Sequence, residues 1–214
     1  MPLVGILGGT FDPIHNGHIR LALEAKQQLN LDHVRLIPVN IPPHRSKPVA
    51  SAIHRRSMIE LAISHEENLS IDLRELDSDE ISYSINTLKS LRQEFINDGL
   101  CLILGRDAFN KIDSWKHWDE LLTYAHIIVA NRPGELNGAA SPKLEQWIKH
   151  HQTSQATSLN EKPSGYIYFI DSPMLDISSS MIRQKYLEHE TIDELLQPST
   201  LTYIKENHLY QETA

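Results

Sequence analysis

A chain of 214 residues, 40% hydrophobic and 22% charged, has the size and composition of a globular protein with one α/β domain or two small domains. Its net charge of −8 argues against a protein that binds nucleic acid through a general phosphate field, and no stretch reaches the roughly 20 apolar residues of a membrane span. The one cysteine, Cys101, excludes an intrachain disulfide. Because it lies in an apolar run, we expect a buried thiol in a reducing compartment, and therefore a cytoplasmic protein.

Short apolar runs alternate with amphipathic segments along the chain. Residues 3–7 predict a buried strand, because the run is too short for a helix before a glycine pair, and apolar spacing near 3.6 residues predicts a helix over 17–30. The same reading predicts strands at 34–39, 69–73, 100–104, 125–130 and 166–170, and helices at 52–65, 84–97, up to about 149, 179–189, 192–196 and 198–206. The polar stretch 151–165 is interpreted as a surface loop.

The alternation predicts an α/β fold of Rossmann-like type, a doubly wound parallel sheet with helices on both faces. We expect a single domain over residues 1–214, with C-terminal helices at about 179–206 packed on it. Ligands of such sheets bind beyond the carboxyl ends of the strands, so the connections at those ends are the segments to search for chemistry.

The segment between the first strand and the first helix, residues 8–18 (GGTFDPIHNGH), carries the clearest functional signal. The pair Gly8 and Gly9 allows close backbone approach to a phosphate, and the start of the following helix favours an anion. His15 and His18 are three residues apart at that helix entrance, so their side chains can converge. Three interpretations stay open from spacing alone: a metal site, simple helix capping, and stabilisation of charge on a phosphate.

This segment resembles the N-terminal signature of the HxGH nucleotidylyltransferase superfamily. The resemblance implies that His15 and His18 bind and stabilise nucleotide phosphates during nucleotidyl transfer, without a covalent enzyme intermediate. It also implies that Gly8, Gly9, Thr10 and Phe11 contact ATP.

A second signature of the superfamily, ISSTxxR, is matched by residues 177–183 (ISSSMIR), where Ser180 replaces the usual threonine and keeps the hydroxyl. Serines at a helix start cap free amides, and an arginine one turn later can reach a phosphate. We therefore expect Ser178, Ser179, Ser180 and Arg183 to contact the ATP phosphates. Mg²⁺ would be carried mainly by those phosphates, with no metal site on the protein itself.

Further segments resemble one branch of the superfamily, the bacterial nicotinate-nucleotide adenylyltransferases. The matching segments are residues 39–45, 82–88, 105–107 with Trp115, and 131–134, so the resemblance spans roughly residues 3–210 in the right order. It implies that His44 and Arg45 meet a nucleotide phosphate, that Trp115 stacks on the pyridine ring, and that Tyr83 and Ser84 lie where backbone amides hold the nicotinate carboxylate. Ser84 and Lys116 depart from the residues common in that branch.

Three more polar or turn residues follow predicted strands. Gly105 and Asp107 come after strand 100–104, where a carboxylate can accept hydrogen bonds from ribose hydroxyls or cap a helix. Arg132 follows strand 125–130, at the nicotinate-nucleotide side of the expected site.

The resemblance implies transfer of AMP from ATP to nicotinate mononucleotide, giving nicotinate adenine dinucleotide and pyrophosphate. The two end motifs do not report the acceptor, so nicotinamide mononucleotide and phosphopantetheine remain alternatives, as does a nucleotide-binding sensor without catalysis. The expected partners are ATP and nicotinate mononucleotide, with no nucleic acid or membrane, and the sequence leaves the oligomeric state open.

Overall fold

The computed structural model describes residues 1–43, 47–131, 141–172 and 177–211. Within them, six parallel strands form one sheet in the order β3-β2-β1-β4-β5-β6. The strands are β1 (Leu3–Gly9), β2 (His33–Pro38), β3 (Leu69–Ile71), β4 (Gly99–Gly105), β5 (His126–Asn131) and β6 (Ile167–Asp171). The helices are α1 (Asn16–Leu29), α2 (Ala52–Ala62), α3 (Ser84–Glu94), α4 (Arg106–Phe109), α5 (Leu121–Tyr124), α6 (Pro142–His151), α7 (Ser179–Leu187) and α8 (Pro198–Glu206).

The predicted doubly wound α/β fold is confirmed. The chain proceeds outward from β1 to β3 and then returns to place β4 on the other side of β1, so strand order reverses between these two central strands. A crevice opens at such a reversal beyond the carboxyl ends of the strands. The segment containing His15 and His18 begins there.

The sheet is covered on both faces, which explains why its strands are continuous apolar runs rather than alternating ones. One buried cluster packs residues of α1, α2, α7 and α8 on one face, and a second packs α3, α5 and α6 on the other. Successive residues of β4 divide between them: Cys101 and Ile103 belong to the first cluster, Leu102 and Leu104 to the second. Cys101 is buried, as predicted, and burial raises the pKa of its thiol to about 12.

Local signals explain where several helices begin and end. The side chains of Ser51, Ser141 and Ser178 accept hydrogen bonds from backbone amides in the first turns of α2, α6 and α7. Asn30 ends α1 in the left-handed conformation, at φ 50°. The helix predicted over 84–97 stops at Glu94, and Arg92 donates to the carbonyl oxygens of Phe95 and Asp98 beyond it.

Two predictions were wrong. Residues 192–196 form turns rather than a helix, because the backbone amide and side chain of Asn16 donate to the carbonyl oxygens of Leu195 and Glu194. The stretch 151–165 is not simply a surface loop, since it contains a 3₁₀ helix, Ala156–Asn160, that buries Leu159 in the first cluster.

The longest described helix, α1, has 14 residues and a length of about 21 Å at 1.5 Å per residue. None of the helices in the described ranges is both long and apolar enough to cross a bilayer.

Candidate active site

Gly8 and Gly9 end β1 and leave space at its carboxyl end. A Cβ atom added to Gly8 would meet nothing within 4 Å, so open space lies beside this backbone. At Gly9, a Cβ would come within 2.9 Å of the Phe11 ring, which packs over the strand end. Phe11 has φ 50°, and its ring meets the His18 ring edge-to-face with centroids 4.9 Å apart. The turn through Thr10 and Phe11 connects β1 to the loop before α1 and leaves space for a ligand beside Gly8.

The two histidines of the first motif lie together at the start of α1. His15 is the N-cap residue and is 5% exposed, and its ring stacks on that of His18 with centroids 3.6 Å apart. The backbone N–H of His15 donates to Nδ1 of His18 over 3.3 Å. Because Nδ1 accepts this bond, a neutral His18 carries its hydrogen on Nε2, which can donate to a ligand.

Both imidazoles are neutral at pH 7. Burial lowers the pKa of His15 to about 4, and burial together with the neighbouring His15 holds the pKa of His18 well below its usual value. Nδ1 of His15 is buried without a hydrogen-bond partner, which is costly unless a ligand completes the site. An arriving phosphate would find two closely spaced polar rings at a helix N-terminus.

Gly17 gives the His15 ring the room it occupies. A Cβ at this position would lie 3.0 Å from Nδ1 and 3.1 Å from Cε1 of His15, and 3.8 Å from Cβ of Ile177 in the second motif. The absence of a side chain at residue 17 therefore lets the first motif, the imidazole and the second motif meet. Gly17 lies within the first motif, but the spacing of the motif alone predicts no role for it.

The second motif packs directly on the first. Ser178 caps α7 by accepting from the backbone N–H of Met181, and the Ser179 hydroxyl donates to the carbonyl oxygen of Pro13 over 2.9 Å. Arg183 donates through Nη1 to the carbonyl oxygen of Asp12 over 2.6 Å and through Nη2 to the Ser180 hydroxyl over 3.4 Å. The N-termini of α1 and α7 and the Arg183 guanidinium thus meet around one loop, where their positive ends suit a polyphosphate.

A buried arginine, Arg55, binds the backbone of the loop between β1 and α1. Arg55 is 1% exposed, and its Nη1 donates to the carbonyl oxygens of Thr10 and Val39, over 2.8 and 2.6 Å. It therefore ties the chain after β1 to the chain after β2. The sequence reading missed Arg55, although a signal was present: it falls on the same helix face as Met58, Ile59 and Ala62, where a charge needs a buried partner.

The carboxyl end of β4 provides the next part of the rim. Gly105 is the N-cap of α4, and Asp107 follows in the first turn with an exposed side chain. The N-cap residue is therefore Gly105 and not Asp107, so the predicted alternative of an Asp107 N-cap is not what the structure shows. The Asp107 carboxylate is exposed near the end of β4. A hydrogen bond from a ribose hydroxyl to this carboxylate stays a prediction.

Two of the segments expected to form the acceptor pocket are neighbours in space. Tyr83 is the N-cap residue of α3, and Ser84 is the first helical residue. Trp115 follows the 3₁₀ turn Ile112–Ser114 and is partly buried against the same apolar cluster as Tyr83. Lys116, next to Trp115, places its ammonium 4.3 Å from the centroid of the Tyr83 ring.

A buried carboxylate that the sequence analysis also missed, Glu75, anchors the beginning of α3. The Thr87 hydroxyl donates to Glu75, and burial raises the pKa of this carboxyl group. Nearby, the backbone N–H of Asn40 donates to the Ser82 hydroxyl over 3.1 Å, and the backbone N–H of Ser82 donates to the carbonyl oxygen of Ile41. The chain after β2 and the chain entering α3 therefore form one wall.

Three predicted site residues, His44, Arg45 and Arg132, lie outside the described residues. The structure brings together the first motif, with His15 and His18, and the second, with its serines and Arg183. It also brings the Tyr83 segment beside the Trp115 segment.

Comparison with known proteins identifies relatives that match nearly the whole chain. A family model described as cytidylyltransferase-like matches residues 6–185. A curated protein of Psychromonas ingrahamii, named probable nicotinate-nucleotide adenylyltransferase, is 42% identical over 208 residues, covering 97% of each chain. A protein of the same name from Yersinia pestis is 39% identical over 210 residues, covering 98% of this chain and 96% of the relative.

A solved structure has the same fold over nearly the whole chain. It is the Plasmodium falciparum nicotinic acid mononucleotide adenylyltransferase complexed with NaAD, with a TM-score of 0.73, 21% identity and coverage of 98% of each chain. At 21% identity, this similarity shows that the two proteins share the arrangement of the sheet and its helices.

Proposed function

The chain belongs to the nicotinate-nucleotide adenylyltransferases within the cytidylyltransferase-like family, and from that membership we propose that the loop bearing His15 and His18 is where it transfers AMP from ATP to nicotinate mononucleotide. The products are nicotinate adenine dinucleotide and pyrophosphate, so the enzyme acts in NAD biosynthesis. One observation carries the location of the site: two neutral histidines, two helix N-termini and Arg183 converge at the carboxyl end of β1.

The reaction is an in-line displacement at the α-phosphorus of ATP. A phosphate oxygen of nicotinate mononucleotide forms the new P–O bond, the bond between the α-phosphorus and the bridging oxygen breaks, and pyrophosphate leaves with that electron pair. Because the acceptor is already an anionic phosphate, no strong general base is needed, and the protein contributes positioning and charge stabilisation. His18 Nε2 and Arg183 would donate to oxygens whose charge grows in the transition state; the His15 bond to Nδ1 of His18 leaves Nε2 as the donor, and the Asp12 carbonyl oxygen holds Arg183 beside the same loop.

The donor set suits phosphate oxygens. Gly8, Gly9, Thr10 and Phe11 would line the ATP side with backbone groups, and Ser178, Ser179 and Ser180 would add hydroxyls and amides at the start of α7. Gly105 and Asp107 would meet the ribose. These groups are mainly hydrogen-bond donors, so we propose that Mg²⁺ arrives as the ATP complex, with phosphate oxygens as its principal ligands.

The acceptor would bind across the neighbouring wall. Trp115 would offer a flat face to the pyridine ring, and backbone amides in the first turn of α3, which follows Tyr83 and begins at Ser84, would receive the nicotinate carboxylate. His44, Arg45 and Arg132 are proposed to meet the nucleotide on the basis of their motifs. The single cysteine, the metabolic role and the relatives all suit a cytoplasmic enzyme, which we propose as its location.

The test is pyrophosphate release from ATP and Mg²⁺ with four acceptor conditions: nicotinate mononucleotide, nicotinamide mononucleotide, phosphopantetheine and none. We expect release that requires nicotinate mononucleotide, that stops with EDTA and that returns with added Mg²⁺. Release with phosphopantetheine alone would overturn the acceptor assignment. ATP binding without release under any condition would instead identify a nucleotide-binding protein that has lost the chemistry.

A further inference from the structure

Asp12 is a buried carboxylate in the middle of the first motif. It is 3% exposed, and its two oxygens accept three hydrogen bonds. The backbone N–H of Val49 donates to Oδ2 over 2.7 Å, and the backbone N–H of Ala50 donates to Oδ1 over 3.0 Å. The third donor is the hydroxyl of Tyr210, 2.7 Å from Oδ1. Each bond is made to a charged acceptor in a buried place, where such bonds are strongest.

These bonds join three distant parts of the chain. Asp12 belongs to the loop that carries His15, Val49 and Ala50 precede α2, and Tyr210 lies in the turn after α8, 198 residues from Asp12. Tyr210 is itself buried, and burial together with the Asp12 charge raises the pKa of its hydroxyl, so it stays a neutral donor.

The same aspartate also contacts Arg183, through both its backbone and its side chain. Nη1 of Arg183 donates to the Asp12 carbonyl oxygen over 2.6 Å and lies 3.8 Å from Oδ2 of its carboxylate. The carboxylate and an ATP phosphate are therefore rival partners for one guanidinium. While Val49, Ala50 and Tyr210 satisfy the carboxylate, the guanidinium can keep a direction set by the carbonyl oxygen and the Ser180 hydroxyl.

We propose that Tyr210 is a positioning residue for ATP binding: its hydroxyl satisfies Asp12, which fixes the β1–α1 loop and keeps Arg183 directed toward the phosphates. This inference rests on the proposed function, since it assigns Arg183 to ATP. Without the hydroxyl, Oδ1 retains only the Ala50 bond, and the carboxylate can turn toward Arg183, whose Nη1 lies 3.8 Å from its other oxygen, Oδ2.

The matched test uses two tyrosine-to-phenylalanine substitutions in the full chain. Tyr210→Phe keeps the ring and removes the donor to Asp12. Tyr203→Phe, the control, removes a hydroxyl in the same C-terminal region, one that bonds Nδ1 of His54 on α2 over 3.0 Å. KM for ATP, KM for nicotinate mononucleotide, kcat and Tm are measured for each, together with calorimetric binding of a non-hydrolysable ATP analogue.

In Tyr210→Phe we expect KM for ATP and the Kd of the analogue to rise about tenfold, as for loss of a hydrogen bond to a charged group, with KM for nicotinate mononucleotide within about twofold. Tyr203→Phe should match the wild type in all three. In Asp12→Asn an amide nitrogen cannot accept the Val49 bond, so KM for ATP should again rise while KM for nicotinate mononucleotide stays nearly unchanged. Adding Tyr210→Phe to Asp12→Asn should raise KM for ATP little further, because both changes disturb the same contact.

Equal ATP affinities in Tyr210→Phe and Tyr203→Phe would overturn the proposal, as would equal losses for ATP and acceptor or full additivity with Asp12→Asn. If Tyr210→Phe does not fold, the split in Asp12→Asn alone decides, because a structural defect would weaken both substrates. A wild type that releases no pyrophosphate would count against the proposed function, and the binding of the analogue would still test the Tyr210 contact.

Discussion

The backbone N–H of His15 donates to Nδ1 of His18 while the two rings stack 3.6 Å apart, so one histidine sets the tautomer and orientation of the other. Neither ring needs a carboxylate partner for this, because both pKa values are lowered by burial and the rings stay neutral. In the proposed reaction, His18 would present an N–H to the phosphate with no proton to gain beforehand.

Replacing His18 with alanine should lower kcat by two orders of magnitude or more, the typical loss when a transition-state donor is removed. Tm should change much less than kcat, since among the described residues the one protein hydrogen bond to the His18 ring is the long one from the backbone N–H of His15, at 3.3 Å. Pyrophosphate release measures kcat, and thermal unfolding measures Tm. The exposed His65→Ala is the control. Near-normal turnover in His18→Ala would contradict the role.

Gly17→Ala should give a slower enzyme. Alanine favours the first turn of a helix over glycine by up to about 1 kcal/mol, yet its Cβ would sit 3.0 Å from His15 Nδ1 and force the imidazole to move. We expect kcat to fall about tenfold, because small displacements of positioned groups are costly. Unchanged turnover together with raised Tm would show that the position of the His15 ring is unimportant.

Gly8→Ala tests whether ATP occupies the space beside β1. The added methyl meets nothing within 4 Å, so Tm should stay near the wild-type value while KM for ATP rises about tenfold through collision with bound nucleotide. Gly5→Ala provides the contrast: its Cβ would lie 2.8 Å from Cγ2 of Val34, so it should lower Tm. An unaffected KM in Gly8→Ala would place the nucleotide elsewhere.

Trp115→Leu should raise KM for nicotinate mononucleotide about tenfold, with a smaller change for ATP, since aromatic stacking on a base contributes about 1–3 kcal/mol. Trp147→Leu is the matched control, because Trp147 packs on the same apolar cluster but meets Trp118 edge-to-face. Initial rates with each substrate varied give both constants. Equal KM changes in the two variants would assign Trp115 to core packing.

His126 should make the fold sensitive to acid. It is fully buried, its Nε2 bonds the carbonyl oxygen of Lys162, its Nδ1 accepts from the backbone N–H of Tyr166, and burial lowers its pKa to about 4. Between pH 6.5 and 4 the unfolded chain therefore binds a proton that the folded chain does not, so stability falls as pH falls, by at most about 1.4 kcal/mol per unit.

Urea unfolding at pH 7.5 and 5.0 measures this term. His126→Gln removes the titrating group, so the stability difference between wild type and variant should shrink by about 2 kcal/mol at the lower pH. A difference that is the same at both pH values would mean that His126 already titrates normally.

The sequence predicted the sheet because parallel strands buried on both faces are short apolar runs, as in β4, and because serines mark helix starts such as that of α7. It singled out the two histidines and Arg183 through their resemblance to two signatures of one superfamily, and the structure brings these residues together. The rest depends on contacts between distant segments. The partners of Arg55, Glu75 and Tyr210 lie on other elements, and Asn16 takes the carbonyl groups that a helix at 192–196 would have used.

The long separation between the two motifs has a consequence during synthesis. Asp12 and Arg183 are 171 residues apart, which a ribosome adding about 5–20 residues per second covers in roughly 10–35 s. Throughout that interval the β1–α1 loop has emerged without the α7 and Tyr210 contacts that hold it in the folded chain. The proposed nucleotide site is therefore completed only with the C-terminal residues, and we expect a nascent chain that lacks them to retain ATP poorly.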